Sequence, residues 1–370
     1  MMKRILFVSN TEGFNKFIRP YMKWFLDNNW IVDNASPGII TKDCSNHYSI
    51  PISRSPFSYS NVKAYKKLKD IINENNYDII HCHTPMGGCL ARLALHFSKC
   101  KKTKVLYTAH GFHFFKGASI INWIIYYPIE KVLAKYTDCL ITINQEDFDF
   151  AVKHKLSNEK IFKINGIGTN LERFHPISYD EKVKLRKEYG LKESDFVIIY
   201  VAQLIKRKNH IALLNIIPSL KKEIPSLKVF FAGSGPLLEY LQNLSVQLNI
   251  DDTIIWGGER TDVEKIYRIG DIHVSTSLQE GLSMNNVEAM ASGLPIVCSN
   301  IRGHNDVVIN NENGFLFDLN DQQQMINSII QLFKNPDMRN EMGLKNTIKV
   351  KEFSLENSLK QMSIIYKEYM

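Results

Sequence analysis

The chain has 370 residues, 44% hydrophobic and 23% charged, enough for two domains that each bury a core. Its 20 Phe and 16 Tyr exclude a disordered polypeptide. A net charge of +8 calls for an acidic partner (nucleic acid, a membrane surface or a phosphate-bearing ligand), and it is uneven: residues 1–175 hold 24 Lys+Arg against 14 Asp+Glu, the rest 22 against 24.

In chain order, Ile5–Ser9 reads as a first strand. Its apolar run is too short for a signal peptide, and Asn10, Glu12 and Asn15 follow at once. A helical pattern over Phe17–Leu26 is followed by a strand at Ile79–His83, a helix at Gly88–Phe97 and a strand at Val105–Ala109. Ile120–Tyr136 is an apolar, aromatic helix pattern with Trp123, Tyr126 and Tyr127, and Leu140–Ile143 is the next strand. Around Phe174-His175-Pro176 the series ends, and the charged stretch Asp180–Glu193 follows. A second series runs through Phe196–Val201, Lys228–Ala232, Thr253–Trp256, Ile272–Ser275 and Pro295–Cys298, and a charged helix pattern closes it from about Ser354 to Tyr369.

Short apolar runs alternating with longer helical patterns are the mark of βαβ units. The expectation is an α/β protein of two doubly wound Rossmann-like domains facing across a cleft. They would span residues 1–174 and 190–352, hinged near 174–194, with 353–370 a terminal helix packing back toward the first. The longest apolar stretch, Ile120–Ile129, is far below the ~20 residues of a membrane span. Six cysteines without a CxxC pair read as reduced, buried thiols of a cytoplasmic protein.

The most informative segment is Glu280-Gly281-Leu282-Ser283-Met284-Asn285-Asn286-Val287-Glu288, continuing Ala-Met-Ala-Ser-Gly-Leu-Pro to Pro295. Ser283 is placed to cap a helix from Met284 to about Ser292, Gly293 to stop it and Pro295 to prevent its continuation. A small residue in the loop and a helix N-terminus after it suit an anion. Glu280 and Glu288 can then face one ligand, and a carboxylate suits a pair of sugar hydroxyls. Solvated helix carboxylates are the plain alternative.

Glu280-x7-Glu288 with the following Ala-Met-Ala-Ser-Gly-Leu-Pro-Ile-Val resembles the signature of retaining glycosyltransferase family 4, which has the GT-B fold. The resemblance covers essentially the whole chain. His81-Cys82-His83-Thr84-Pro85, Tyr107-Thr108-Ala109-His110-Gly111-Phe112-His113-Phe114 and Tyr136 to Asn144 look most like EpsD-type exopolysaccharide and capsular-polysaccharide glycosyltransferases.

The resemblance implies a nucleotide-sugar donor, with UDP as its nucleotide, and a polyprenyl-diphosphate-linked saccharide acceptor. It implies no separate cofactor and no metal; no nucleic-acid partner is expected. Glu288 would hold the ribose. Glu280 would contact the transferred sugar, beside a diphosphate at the turn of Gly281, Leu282, Ser283, Met284 and Asn285. His110, at a strand end before Gly111, would be the active-site histidine. His83, Thr84 and His113 fall on the acceptor side, with a packed or loop-stabilising histidine the alternative for His113.

Lys208 matches the family's leaving-group lysine, but Gln203 stands where an Arg is usual five residues earlier. Lys206 or Arg207 is placed to compensate, or is merely surface charge. Gly233 and Gly235 would border the nucleotide, Trp256 and Gly257 its base, and Gly13 the donor phosphates. Asp306 stands where the family often has Glu. His81-Cys82-His83 invites a metal reading, but the two histidines share one strand face and Cys82 the other.

Lys63, Lys66, Lys67 and Lys69, with Lys99, Lys101, Lys102 and Lys104, are solvated faces or an attraction to an anionic membrane surface. With the Ile120–Ile129 segment they fit a peripheral enzyme at the inner face of the membrane. Three rivals stand beside this reading: a UDP-sugar epimerase or hydrolase of the GT-B fold, a non-catalytic partner subunit, and a nucleic-acid-binding protein motivated only by the charge, for which the sequence offers neither an aromatic-interleaved basic platform nor a helix-turn-helix.

Overall fold

The computed structural model describes residues 2–38 and 43–370. The chain forms two compact units, Met1–Gly168 with Glu356–Met370, and Thr169–Leu355.

Among the described residues, seven strands build the sheet of the first unit. They are β1 (Arg4–Val8), β2 (Ile31–Ser36), β3 (Asn46–Ser49), β4 (Ile79–His83), β5 (Lys104–Ala109), β6 (Cys139–Thr142) and β7 (Lys160–Lys163). All pairings are parallel, in the order β3-β2-β1-β4-β5-β6-β7. The order reverses between β1 and β4, where such sheets open a crevice beyond their carboxyl ends.

Four strands escape sequence periodicity because they are polar or very short. β2 buries Asp33 and Asn34, and Asp33 is held by Arg4, Tyr77 and Asn46. β3 and β7 are edge strands with exposed ends, and the edge strand Gly314–Phe317 of the second unit has only Gly-Phe-Leu-Phe to show.

The second unit has β8 (Phe196–Val201), β9 (Leu227–Ala232), β10 (Ile254–Gly258), β11 (Ile272–Ser275), β12 (Ile296–Ser299) and β13 (Gly314–Phe317). They too are all parallel, in the order β10-β9-β8-β11-β12-β13, again reversing beside the first strand.

The helix Tyr179–Glu188 belongs to this unit and not to a free hinge. Arg186 donates to Asp271 at 2.6 Å and to three backbone carbonyls, and Lys182 meets the same carboxylate at 3.0 Å. Burial would push the Asp271 carboxyl up, but the two cations hold it below its ordinary value.

The terminal helix, Leu355–Lys367, packs in the first unit from Glu356 onward. Ser358 meets Tyr21 Oη at 2.7 Å, and Tyr366 is buried against Phe25, Trp24 and His81. No helix among the described residues is long and apolar enough to cross a membrane.

Candidate active site

In the second unit, the residues singled out above gather beyond the carboxyl ends of β8, β11 and β12. The turn after β8 is a short 3-10 helix, Lys206–Lys208, ended by Asn209 in the left-handed region at φ 52°. It is fastened to the loop after β11: Leu278 N donates to Arg207 O at 2.8 Å, and Thr276 Oγ1 to Asn209 O at 2.7 Å. Tyr200, buried in β8, donates its hydroxyl to Lys208 O and accepts from Thr276 N.

This fastening brings Lys208 Nζ to 2.5 Å from Glu280 Oε1, while Arg207 Nη1 lies 2.9 Å from Oε2. Glu280 is 7% exposed. Burial raises its pKa, but the Lys208 ammonium and then the Arg207 guanidinium outweigh it and hold the carboxyl at about 2. Burial lowers the Lys208 pKa, against the pull of Glu280. Glu280 is therefore a carboxylate at neutral pH.

Glu280 is also held through its backbone, since Arg302 Nε donates to its carbonyl at 3.1 Å. Gly303, at φ 80°, lets the next turn close over the loop: a Cβ there would stand 2.8 Å from Gly281 O. Asp306 accepts from Gly303 N at 3.1 Å, so it shapes this turn.

The helix Met284–Ala291 starts at Ser283, but the serine does not cap it. Its hydroxyl meets Asn285 Oδ1 at 2.5 Å, because Asn285 is itself tied to Val201 O at 3.1 Å. The expected side-chain cap is therefore corrected, and the first-turn amides carry no side-chain acceptor of that kind. Glu288, half-buried on this helix, accepts from the buried Tyr267 hydroxyl at 3.1 Å.

Gly233 and Gly235 have a packing reason of their own. A Cβ on Gly233 would lie 1.9 Å from Ala202 O, and one on Gly235 would lie 2.5 Å from Leu204 O. The glycine loop crosses the backbone after β8 and bonds to it at Leu204 N and Leu237 N. Trp256 stacks on Phe231 at 5.0 Å against the core, so its ring serves packing, and Gly257 lies over the Phe230 ring. Gln203 is exposed.

A cavity of 780 Å³ opens at the opposite, amino ends of the strands, beside Lys182, Arg186 and Asp271. Lys182 and Arg186 there are paired with Asp271, and no predicted site residue lines it.

The first unit has its own cluster, at the carboxyl ends of β1, β4 and β5. His81 and His83 do share a face, ring centroids 4.1 Å apart, while Cys82 turns into the core on the other side. His81 is committed to Tyr366 Oη and Thr108 Oγ1, both at 2.8 Å. His83 Nδ1 meets His110 Nε2 at 3.2 Å. Burial lowers the pKa of all three, His81 and His110 to about 3.

Thr84, next in chain, sits at φ 64° and ψ 150°, a region that glycine favours, and its hydroxyl accepts from Asn10 N at 3.2 Å. Gly13 faces open space, and its neighbour Phe14 lies edge-on to His110 at 4.6 Å. His113 stacks on Tyr126 at 4.5 Å, pointing to the aromatic helix rather than to the His83–His110 pair.

Comparison with known proteins decides the family. Residues 181–349 match the profile "Glycosyl transferases group 1", and residues 4–144 match "Glycosyl transferase 4-like". The protein named glycosyltransferase EpsD in Bacillus subtilis (strain 168) is 41% identical over 100% of this chain and 98% of its own length. The chain belongs to this glycosyltransferase family.

The Escherichia coli UDP-Gal:alpha-D-GlcNAc-diphosphoundecaprenol alpha-1,3-galactosyltransferase is 30% identical over 73% of this chain and 70% of its own. Among solved structures, Thermosynechococcus elongatus sucrose-phosphate synthase superposes with a TM-score of 0.82 at 20% identity, covering 99% of this chain and 98% of that one. Anabaena HepE, solved with UDP-glucose, gives 0.81 at 16%, covering 99% of both. These likenesses give the glycosyltransferase the GT-B fold.

Within this GT-B glycosyltransferase the structure brings together Glu280, Lys208, Gly281 to Asn285 and Glu288 in one unit, and His83, Thr84, His110 and Gly13 in the other. Sequence reasoning did not find Tyr200, Thr276 and Tyr267, which hold the charged side chains in place. Each is an ordinary buried residue in sequence, and only a hydroxyl at a strand or helix end hints at more.

Proposed function

We propose that this glycosyltransferase moves a sugar from a UDP-sugar to a polyprenyl-diphosphate-linked saccharide, with retention at the anomeric carbon, in exopolysaccharide or capsule synthesis. The observation that carries the reading is the buried carboxylate of Glu280 clamped by Lys208 and Arg207 beside an uncapped helix start. In this reading the two cations oppose the charge that develops on a diphosphate leaving group, in place of a metal ion. Glu288 holds the ribose in this reading, and Glu280 orients the transferred sugar.

Arg207 supplies the cation that Gln203 cannot, since its guanidinium, though exposed, reaches Glu280. The first unit binds the acceptor and supplies His110 to a sugar hydroxyl. The named donors and acceptors of relatives support this choice: UDP-galactose and a diphosphoundecaprenol saccharide for the Escherichia coli enzyme, UDP-glucose for HepE.

A peripheral position on an anionic membrane fits the helix Ile120–Leu133. It exposes Ile120, Ile121, Ile124 and Val132, with Lys116, Lys131 and Lys135 exposed around them. Apolar side chains flanked by lysines suit the headgroup boundary.

The test is incubation with UDP-glucose, UDP-galactose and UDP-N-acetylglucosamine, each with and without a polyprenyl-diphosphate N-acetylglucosamine acceptor. The reading expects acceptor-dependent UDP release and an α-linked product by proton NMR. Epimerised sugar without acceptor, or a β-linked product from an α-donor, would overturn it.

A further inference from the structure

His83 is fully buried at the end of β4, and its contacts are aromatic on nearly every side. The Phe7 ring lies parallel to it at 6.2 Å, Phe14 at 5.5 Å, and the His81 ring at 4.1 Å. One ring nitrogen, Nδ1, meets His110 Nε2 at 3.2 Å. The other, Nε2, is buried with no hydrogen-bond partner. Neutral rings share a single proton in the His83–His110 contact, so two arrangements exist.

In the first, His83 carries its proton on Nε2. That leaves a buried N–H donor with no acceptor, and makes His110 the donor in the shared bond. In the second, His83 is protonated on Nδ1 and donates to His110 Nε2. Its own Nε2 is then a bare acceptor among aromatic rings, and the proton of His110 must sit on Nδ1. An orphaned buried N–H is the rarer and costlier defect. The apolar wall around His83 Nε2 therefore selects the second arrangement.

We propose that His83 is a positioning residue that sets the tautomer of His110, keeping its proton on Nδ1 so that this nitrogen donates to a ligand. Nδ1 of His110 makes no hydrogen bond among the described residues. The proposal rests, for its functional half, on reading His110 as a contact to a sugar hydroxyl. A donor there meets a hydroxyl oxygen, whereas the other tautomer would present a lone pair. His81 has no part in this choice, because Thr108 and Tyr366 occupy both of its nitrogens.

The experiment is a long-range proton–nitrogen correlation spectrum at pH 7 on the full chain labelled with nitrogen-15 histidine. His110 is assigned by comparison with His110→Asn. The expected wild-type result is a protonated Nδ1 and a bare Nε2. In His83→Leu nothing donates to Nε2, and the proton moves there; in His83→Asn the amide N–H stands in for Nδ1–H and restores the wild-type pattern.

Turnover follows the tautomer: His83→Leu lowers kcat for UDP release about tenfold or more at unchanged donor KM, and His83→Asn recovers most of it. A wild-type His110 protonated on Nε2, or a His110 signal unchanged in His83→Leu, overturns the proposal. If His83→Leu does not fold, the wild-type spectrum decides alone. An Nδ1-protonated His110 in a chain that transfers no sugar counts against the sugar-contact reading and not against the tautomer control.

Discussion

Lys208 and Glu280 form an ion pair 2.5 Å long between two loops that are 72 residues apart in sequence. The pair is not a surface contact: Glu280 is 7% exposed, and the Lys208 side chain 12%. Backbone bonds from Leu278 to Arg207 and from Thr276 to Asn209 hold the loops in register, so the pair is positioned before any ligand arrives. Arg207 on the second oxygen makes the arrangement asymmetric, with two cations on one carboxylate.

That asymmetry predicts unequal effects of removing either partner. Glu280→Gln leaves Lys208 buried beside Arg207 with no counter-charge, which costs about 3–5 kcal/mol in urea unfolding. Lys208→Met costs less, because Arg207 still neutralises Glu280. Transfer behaves differently, falling roughly 100-fold or more in Lys208→Met, which removes a cation from the leaving group. Equal stability losses in the two variants would contradict the assignment.

The same pair fixes a pH dependence. The folded-state pKa of Glu280 is held at about 2, below its ordinary 4.5. A depressed carboxylate contributes stability that is present above its unfolded pKa and lost as pH falls toward the folded one. The contribution, on the order of 3 kcal/mol, should vanish progressively between about pH 5 and pH 2. Urea midpoints of the wild type and of Glu280→Gln should therefore converge as the pH is lowered through this window. A constant gap would place the stabilisation elsewhere.

Thr84 gives a backbone prediction. At φ 64° and ψ 150° it occupies a conformation that costs a non-glycine residue about 1–3 kcal/mol, while its hydroxyl accepts one backbone hydrogen bond. Thr84→Ala keeps the strain and loses the bond; Thr84→Gly loses both. Thermal unfolding should rank Thr84→Gly above Thr84→Ala by about 1–2 kcal/mol. The reverse order would mean that the strain is not there.

Two glycines should respond in opposite ways. Gly233→Ala drives a Cβ to 1.9 Å from Ala202 O, so the loop must move, at a cost of about 2 kcal/mol or more. Gly13→Ala meets nothing within 4 Å and should leave stability within about 0.5 kcal/mol of wild type. Circular-dichroism melts of the two variants make the comparison.

The sequence showed the sheets where their strands are apolar and hid them where they are not. Phe196–Val201 and Ile79–His83 could be read directly, whereas β2 carries Asp33 into the core, a pattern that makes sense only once Arg4 and Tyr77 are seen around it. Glu280, Lys208 and Glu288 were singled out because carboxylates suit sugar hydroxyls and a cation suits a diphosphate, and the structure brings Glu280 and Lys208 together. Trp256 and the glycines of the 233–235 loop look alike in sequence whether they meet a ligand or a neighbouring group; their packing partners are Phe231 in β9 for Trp256 and, for the glycines, the carbonyls of Ala202 and Leu204 after β8. The Ser283 cap failed for a related reason, since Asn285 competes for the hydroxyl.

The charge of the first unit also changes meaning once its apolar helix is seen. Lysines around Ile120, Ile121, Ile124 and Val132 are the arrangement on which the membrane position proposed above rests.

The most direct test of the account is calorimetric titration of UDP into the wild type, Glu288→Ala and Lys208→Met in the same buffer without divalent metal. The account predicts a saturable signal for the wild type, weakened about tenfold or more by each substitution. No UDP binding by the wild type, or equal binding by all three proteins, would contradict it.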